Sequence, residues 1–160
     1  MNPYVVMLGS WLVLLQSGAG PAFKDYPVGE VFRGTPAEPV LSTRRARDFR
    51  TQLRNETKSG ANFAGHYTLA RWGCGAGCVT VAVVDALSGR VWFAPFTVED
   101  GWKDGHVICD HSTDFRVDSE LFVASGKVNG RFGTHYFRWH GTTFSRLGDS
   151  PSCDRVAPGG

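Results

Sequence analysis

The chain of 160 residues carries four cysteines and five histidines, and these set its chemical options. The densest group is Trp72–Cys78, WGCGAGC, where Cys74 and Cys78 stand four positions apart among Gly73, Gly75 and Gly77. A redox pair usually has a two-residue spacer and a helix start that lowers one thiol's pKa. Here the spacer is three residues and the flanks read as strands. A metal site would need two further ligands, and His66 is the nearest candidate in sequence. The favoured reading is a disulfide at a hairpin tip, where antiparallel strands bring Cα atoms within roughly 5.5 Å. Gly73, Gly75 and Gly77 permit positive φ in so tight a loop. Closing so small a ring contributes only about 2 kcal/mol, so its main effect is on the shape of the loop.

A second group lies in the segment 97–114, TVEDGWKDGHVICDHSTD, which shows no clear periodicity and reads as a long functional loop. His106, Cys109, Asp110 and His111 have the atom types of a transition-metal site, with Asp100, Asp104 and Asp114 nearby. An oxidised Cys109 would leave only imidazoles and carboxylates. The acids do not follow EF-hand spacing. No G-x-S-x-G elbow is present. His66, His135 and His140 fall on or beside expected strands, where imidazoles most often make structural hydrogen bonds.

The compartment decides what the cysteines mean. An apolar run from Val5 to Leu15, followed by small residues at Ser17, Gly18, Ala19 and Ala22, has the outline of a cleavable secretory signal over residues 1–22. The run is about half the length a membrane-spanning helix needs, so no stable membrane span is expected. Residues 23–160 then form one domain of about 140 residues, large enough to bury a core. In a periplasmic or secreted chain an even cysteine count favours two bridges. Of the three pairings, Cys74–Cys78 with Cys109–Cys153 is favoured. The larger ring would pin the polar C-terminal tail and add about 4 kcal/mol. A net charge of +2 and the expected export exclude nucleic acid as a partner. No cofactor is expected.

The elements that must hold these groups are legible in part. Prolines and glycines between Phe23 and Val40 predict an extended arm. From Ser42 to Gly60 the pattern predicts a single amphipathic helix, capped by Ser42 or Thr43 and ended by Gly60, with Ala46, Phe49 and Leu53 on its buried face. Arg47, Arg50, Arg54 and Lys58 form a basic stripe beside that face. Beyond Gly60 the period falls to two. Strands are expected over 66–72, 78–85, 90–96, 121–125, 134–139 and 142–147, with a turn signal at Val128–Gly130. The predicted fold is α+β, one N-terminal amphipathic helix packed on an antiparallel meander of five to seven strands. A small barrel or sandwich is the alternative, since one helix covers few strands.

Gly60–Phe93 contains NFAGHY (Asn62–Tyr67), WGCGAGC (Trp72–Cys78) and DALSGRV (Asp85–Val91). In this order and spacing the segment resembles a family of small exported bacterial proteins of uncharacterised activity, with the pattern N-F-A-G-H-Y, W-G-C-G-x-G-C and D-x-x-[TS]-G-[KR]-V. The resemblance covers about a quarter of the expected mature chain. It implies a Gram-negative envelope location and carries no catalytic residue. The functional expectation is a non-enzymatic binding domain, of inhibitor or immunity type, that meets an envelope protein or an anionic envelope glycan. His66, Trp72, Arg47, Arg50 and Arg54 are its candidate contact residues. The competing expectation is a metal-dependent or other hydrolase built on the 97–114 loop.

Overall fold

The computed structural model describes residues 20–153. The expected signal segment lies outside the described residues except for Gly20–Ala22. No helix among the described residues is long and apolar enough to cross a membrane.

The expected helix starts at its cap, with Thr43 Oγ1 accepting from the Ala46 N–H at 3.1 Å. It is not a single rod. Phe49 leaves helical geometry at φ −102°, ψ 22°, dividing α1 (Arg44–Asp48) from α2 (Arg50–Thr57). Its ring packs 5.0 Å from Trp72 and 6.1 Å from Phe93, so tertiary packing overrides helical preference at that residue. Ala46 and Leu53 are buried as their spacing predicts, in a cluster with Ala70, Ala82 and Val84.

Seven strands form one sheet. They are β1 (Tyr67–Gly75), β2 (Cys78–Asp85), β3 (Val91–Glu99), β6 (Ser112–Phe115), β7 (Leu121–Val128), β8 (Arg131–Trp139) and β9 (Phe144–Ser150). Their order is β1-β2-β3-β7-β8-β9, with β6 also paired to β7, and every pairing is antiparallel. β3 joins the β7 ladder through one residue pair, Glu99 and Lys127. Around that junction the sheet folds into two halves that face each other. Phe96 stacks 4.4 Å from Phe137 and Trp92 meets Trp139 at 5.9 Å, so the aromatic core lies between the halves. Gly126 sits at the fold with φ +129°, and a side chain there would run into the Glu99 carbonyl and approach the His111 Cα to 3.2 Å.

The outer faces are covered by different means. The helices close the outside of β1–β3. Phe23 and Tyr26 of the arm cover Leu121, Val123 and Tyr136 on the outside of β7–β8. The arm is held by backbone bonds, among them Val28 N–H to the Asp118 carbonyl, Phe32 N–H to Gly65 and Ala37 N–H to Ala86. The α1–α2 segment is therefore enough, because the arm, which makes a 3₁₀ turn at Phe23–Asp25 where extended backbone is expected, takes the second face, and the α+β meander is the architecture found.

The 97–114 segment is not the structureless loop its composition suggests. β3 runs to Glu99, then β4 (Gly101–Lys103) and β5 (His106–Cys109) form a separate two-stranded ribbon, and β6 follows. Asp104 at φ +51° and Gly105 at φ +81° join β4 to β5. Two consecutive positive φ values mark the tight hairpin turn that Asp-Gly favours, and Asn129–Gly130 repeats it between β7 and β8.

Phe122 is fully buried at the centre of the facing halves. Phe122→Ala is expected to cost about 3–5 kcal/mol in urea unfolding with the disulfides intact. Leu87→Ala, at a position 58% exposed, should stay within about 0.5 kcal/mol.

Candidate binding site

The WGCGAGC segment is the tip of the β1–β2 hairpin. Gly75 pairs with Cys78, a bulge falls between Gly73 and Gly75, and the Cys74–Cys78 disulfide spans Cα atoms 5.2 Å apart. The staple reading holds. Gly77, at φ +62°, lies so close that a side chain there would meet the Asp100 carboxylate. The Asp100 N–H donates to the Gly77 carbonyl at 2.7 Å. The second disulfide joins Cys109, at the end of β5, to Cys153, with Cα atoms 5.6 Å apart. All four cysteines are thus paired in the favoured arrangement, and none is free.

Asp100 connects these parts. Its Oδ1 accepts from the His111 backbone N–H at 2.9 Å and faces the His111 Nδ1 at 2.6 Å. The His111 backbone N–H, and then its ring, hold the Asp100 carboxyl below the usual carboxylate range. A carboxylate at Nδ1 keeps the proton on that nitrogen and leaves Nε2 as an acceptor. Such a pair could act as a general base, but no hydroxyl among the described residues is hydrogen-bonded to Nε2. The proposed metal ligands do not converge. Cys109 is oxidised, His111 is engaged with Asp100, and no three His, Cys, Asp or Glu side chains gather among the described residues.

Two clefts flank the hairpin tip. One, of about 280 Å³, runs from the Cys74–Cys78 loop to Asp100, Trp102, Lys127 and Phe132. The other, of about 320 Å³, lies along the edge of β1 between Glu56, Arg71, Trp72 and Gly73 on one side and His111, Ser112 and Thr113 on the other. Beside the tip, the ribbon presents apolar side chains to solvent. Trp102 is 56% exposed and Ile108 49%, with Val107 also exposed, and Phe132 of β8 stands exposed beside Trp102. Trp102 and Val107 are cross-strand partners and therefore share a face.

The expected contact residues do not assemble. Trp72 packs on Phe49 and Phe93, its indole N–H is buried without a hydrogen-bond partner among the described residues, and its ring is only partly buried where it lines the cleft. His66 lies at the opposite end of β1, its ring 4.1 Å from Tyr67 and its Nε2 3.9 Å from Asp85. Arg47 donates to the Leu41 and Ser42 carbonyls, Arg50 to the Arg47 carbonyl, and Arg54 lies 3.8 Å from Glu38. His135 and His140 make the structural hydrogen bonds expected of them, to Asp149 and Ser145. Trp102, Ile108 and Phe132 escaped the sequence reading, although the Asp104–Gly105 turn signal between apolar residues would have marked the ribbon. Compared with family models, curated proteins and solved structures, the chain finds no match.

Folding favours the ionised form of Asp100. Its contribution is complete above the unfolded carboxyl pKa of 3.8 and is lost as pH falls through the lower folded value. Asp100→Asn is therefore expected to lower stability at pH 7 by about 1–2 kcal/mol. In urea unfolding across a pH series, the gap from wild type should narrow below pH 3.8.

Proposed function

We propose that the chain is a binding domain of the bacterial envelope, of inhibitor or immunity type, that seats on a partner protein through the end carrying the two disulfides. One observation carries this reading. Trp102, Val107, Ile108 and Phe132 stand exposed on tight hairpins whose backbones are tied down by Cys109–Cys153, Asp100 and the Cys74–Cys78 loop. A soluble domain gains nothing from solvating large aromatics on a rigid projection, whereas an interface uses such side chains as its anchors. Rigid hairpins also lose little conformational entropy on association, which raises affinity for a given contact area. The two disulfides fit an oxidising compartment, as the apolar opening and the resemblance at Gly60–Phe93 imply. An anionic glycan has less in its favour, because Arg47 and Arg50 already donate to backbone carbonyls and Arg54 faces Glu38.

The test is affinity capture from periplasmic extract, followed by a measured Kd for the protein retained. Trp102→Ala combined with Ile108→Ser should weaken binding at least tenfold, at an expected loss of about 2 kcal/mol or more for anchors of this kind. Arg54→Ala should change it little. Unchanged binding by the Trp102/Ile108 variant, or no specific retention by wild type, would remove the proposal.

A further inference from the structure

β1 is the last strand on one side of the sheet, and its outer edge is only partly closed. Along an antiparallel strand, the N–H and C=O of every second residue point away from the paired neighbour. At Tyr67 these groups bond back to the preceding chain, Tyr67 N–H to the Phe63 carbonyl and the Tyr67 carbonyl to the N–H groups of Asn62 and Phe63. At Leu69 the Asn62 side chain imitates a neighbouring strand, its Oδ1 accepting from the Leu69 N–H at 2.7 Å and its Nδ2 reaching the Leu69 carbonyl at 3.4 Å. Arg71 and Gly73 are next in the series. Among the described residues, no group from outside the sheet bonds to their backbone. These two residues line the 320 Å³ cleft, whose far wall is His111, Ser112 and Thr113 at the start of β6.

We infer that this cleft takes an extended segment of the partner protein, which pairs with β1 at Arg71 and Gly73 as an added strand. The inference rests on the binding function proposed above and names how the partner is held. Main-chain pairing would give affinity, and the alternating side chains of the guest would give specificity. Guest side chains on one face meet Arg71, which crosses the cleft to donate to Thr113 Oγ1 at 2.7 Å and has no carboxylate partner among the described residues. Those on the other face meet the Trp72 ring. The preferred segment is therefore extended, with acidic residues alternating with apolar ones. His111 lines this cleft and Asp100, its hydrogen-bond partner, lines the cleft beside the ribbon, so the two sites adjoin and one partner can reach both.

The probes are two decapeptides, one alternating glutamate with valine and the other lysine with valine, titrated into the full disulfide-bonded protein and followed by backbone amide NMR. The glutamate peptide should bind saturably, shift the Arg71 and Gly73 amides, and bind at least tenfold tighter than the lysine peptide. Arg71→Glu should reverse that preference. Gly73→Pro removes an outward N–H without touching the β1–β2 ladder, and should weaken binding at least tenfold while leaving the thermal midpoint within a few degrees. Arg71→Glu is the second variant should Gly73→Pro alter the fold. Equal affinity for both peptides, absence of binding, or shifts confined to other surfaces would overturn the inference. So would dimerisation through this edge in sedimentation, since a second copy would then be the occupant. Trp102→Ala should leave peptide binding intact. If the peptide binds while capture is insensitive to Trp102, only the ribbon reading falls, and the reverse pattern removes only the added strand.

Discussion

The crossing of β3 over β7 at Glu99, Lys127 and Gly126 is the constraint on which the architecture rests. A flat meander of these strands would leave its large aromatics on one open face. Folding the sheet at a single residue pair sets Phe96 and Trp92 against Phe137 and Trp139, and makes one sheet enclose its own core. The backbones approach so closely there that no side chain fits at Gly126. The next residue after Glu99 is Asp100, so the same crossing aims a carboxylate at the hairpin tip on one side and at His111 on the other. Core enclosure and the shape of the disulfide-bearing end are consequences of one bend.

Because the halves face inward, each outer face needs its own cover. α1 and α2 supply one and the arm supplies the other. The exposed ribbon at the disulfide-bearing end belongs to neither covered cluster. What remains exposed there is held by crosslinks and turn geometry and owes little to burial, which is why apolar side chains can project without collapsing onto the body.

Local chemistry was legible in the sequence, and global placement was not. Thr43 as a cap, Ala46 and Leu53 as buried positions, Asn129–Gly130 as a turn and the Cys74–Cys78 bridge follow from rules that act over a few residues or from the geometry of adjacent strands. The break at Phe49 depends on Trp72 and Phe93, which lie far along the chain. β4 and β5 are too short for alternation to register, so their Asp-Gly turn was the one available sign. Trp72 packs against Phe49 on one side and lines the cleft beside β1 on the other, a placement that alternation, which assigns only a face, does not give. The bonds made by the arginine stripe escape the sequence for a related reason. A periodic pattern counts charges, but not the backbone carbonyls that already engage them.

The Cys109–Cys153 bond has a mechanical side. β9 is the terminal strand of its half of the sheet, and tension on whatever follows Cys153 would otherwise peel it from β8 one hydrogen bond at a time. With the crosslink in place, that tension passes through sulfur to Cys109 and into the ribbon and the crossing behind it. Interactions there must then shear together, so a domain gripped by its tail would resist unzipping from that end.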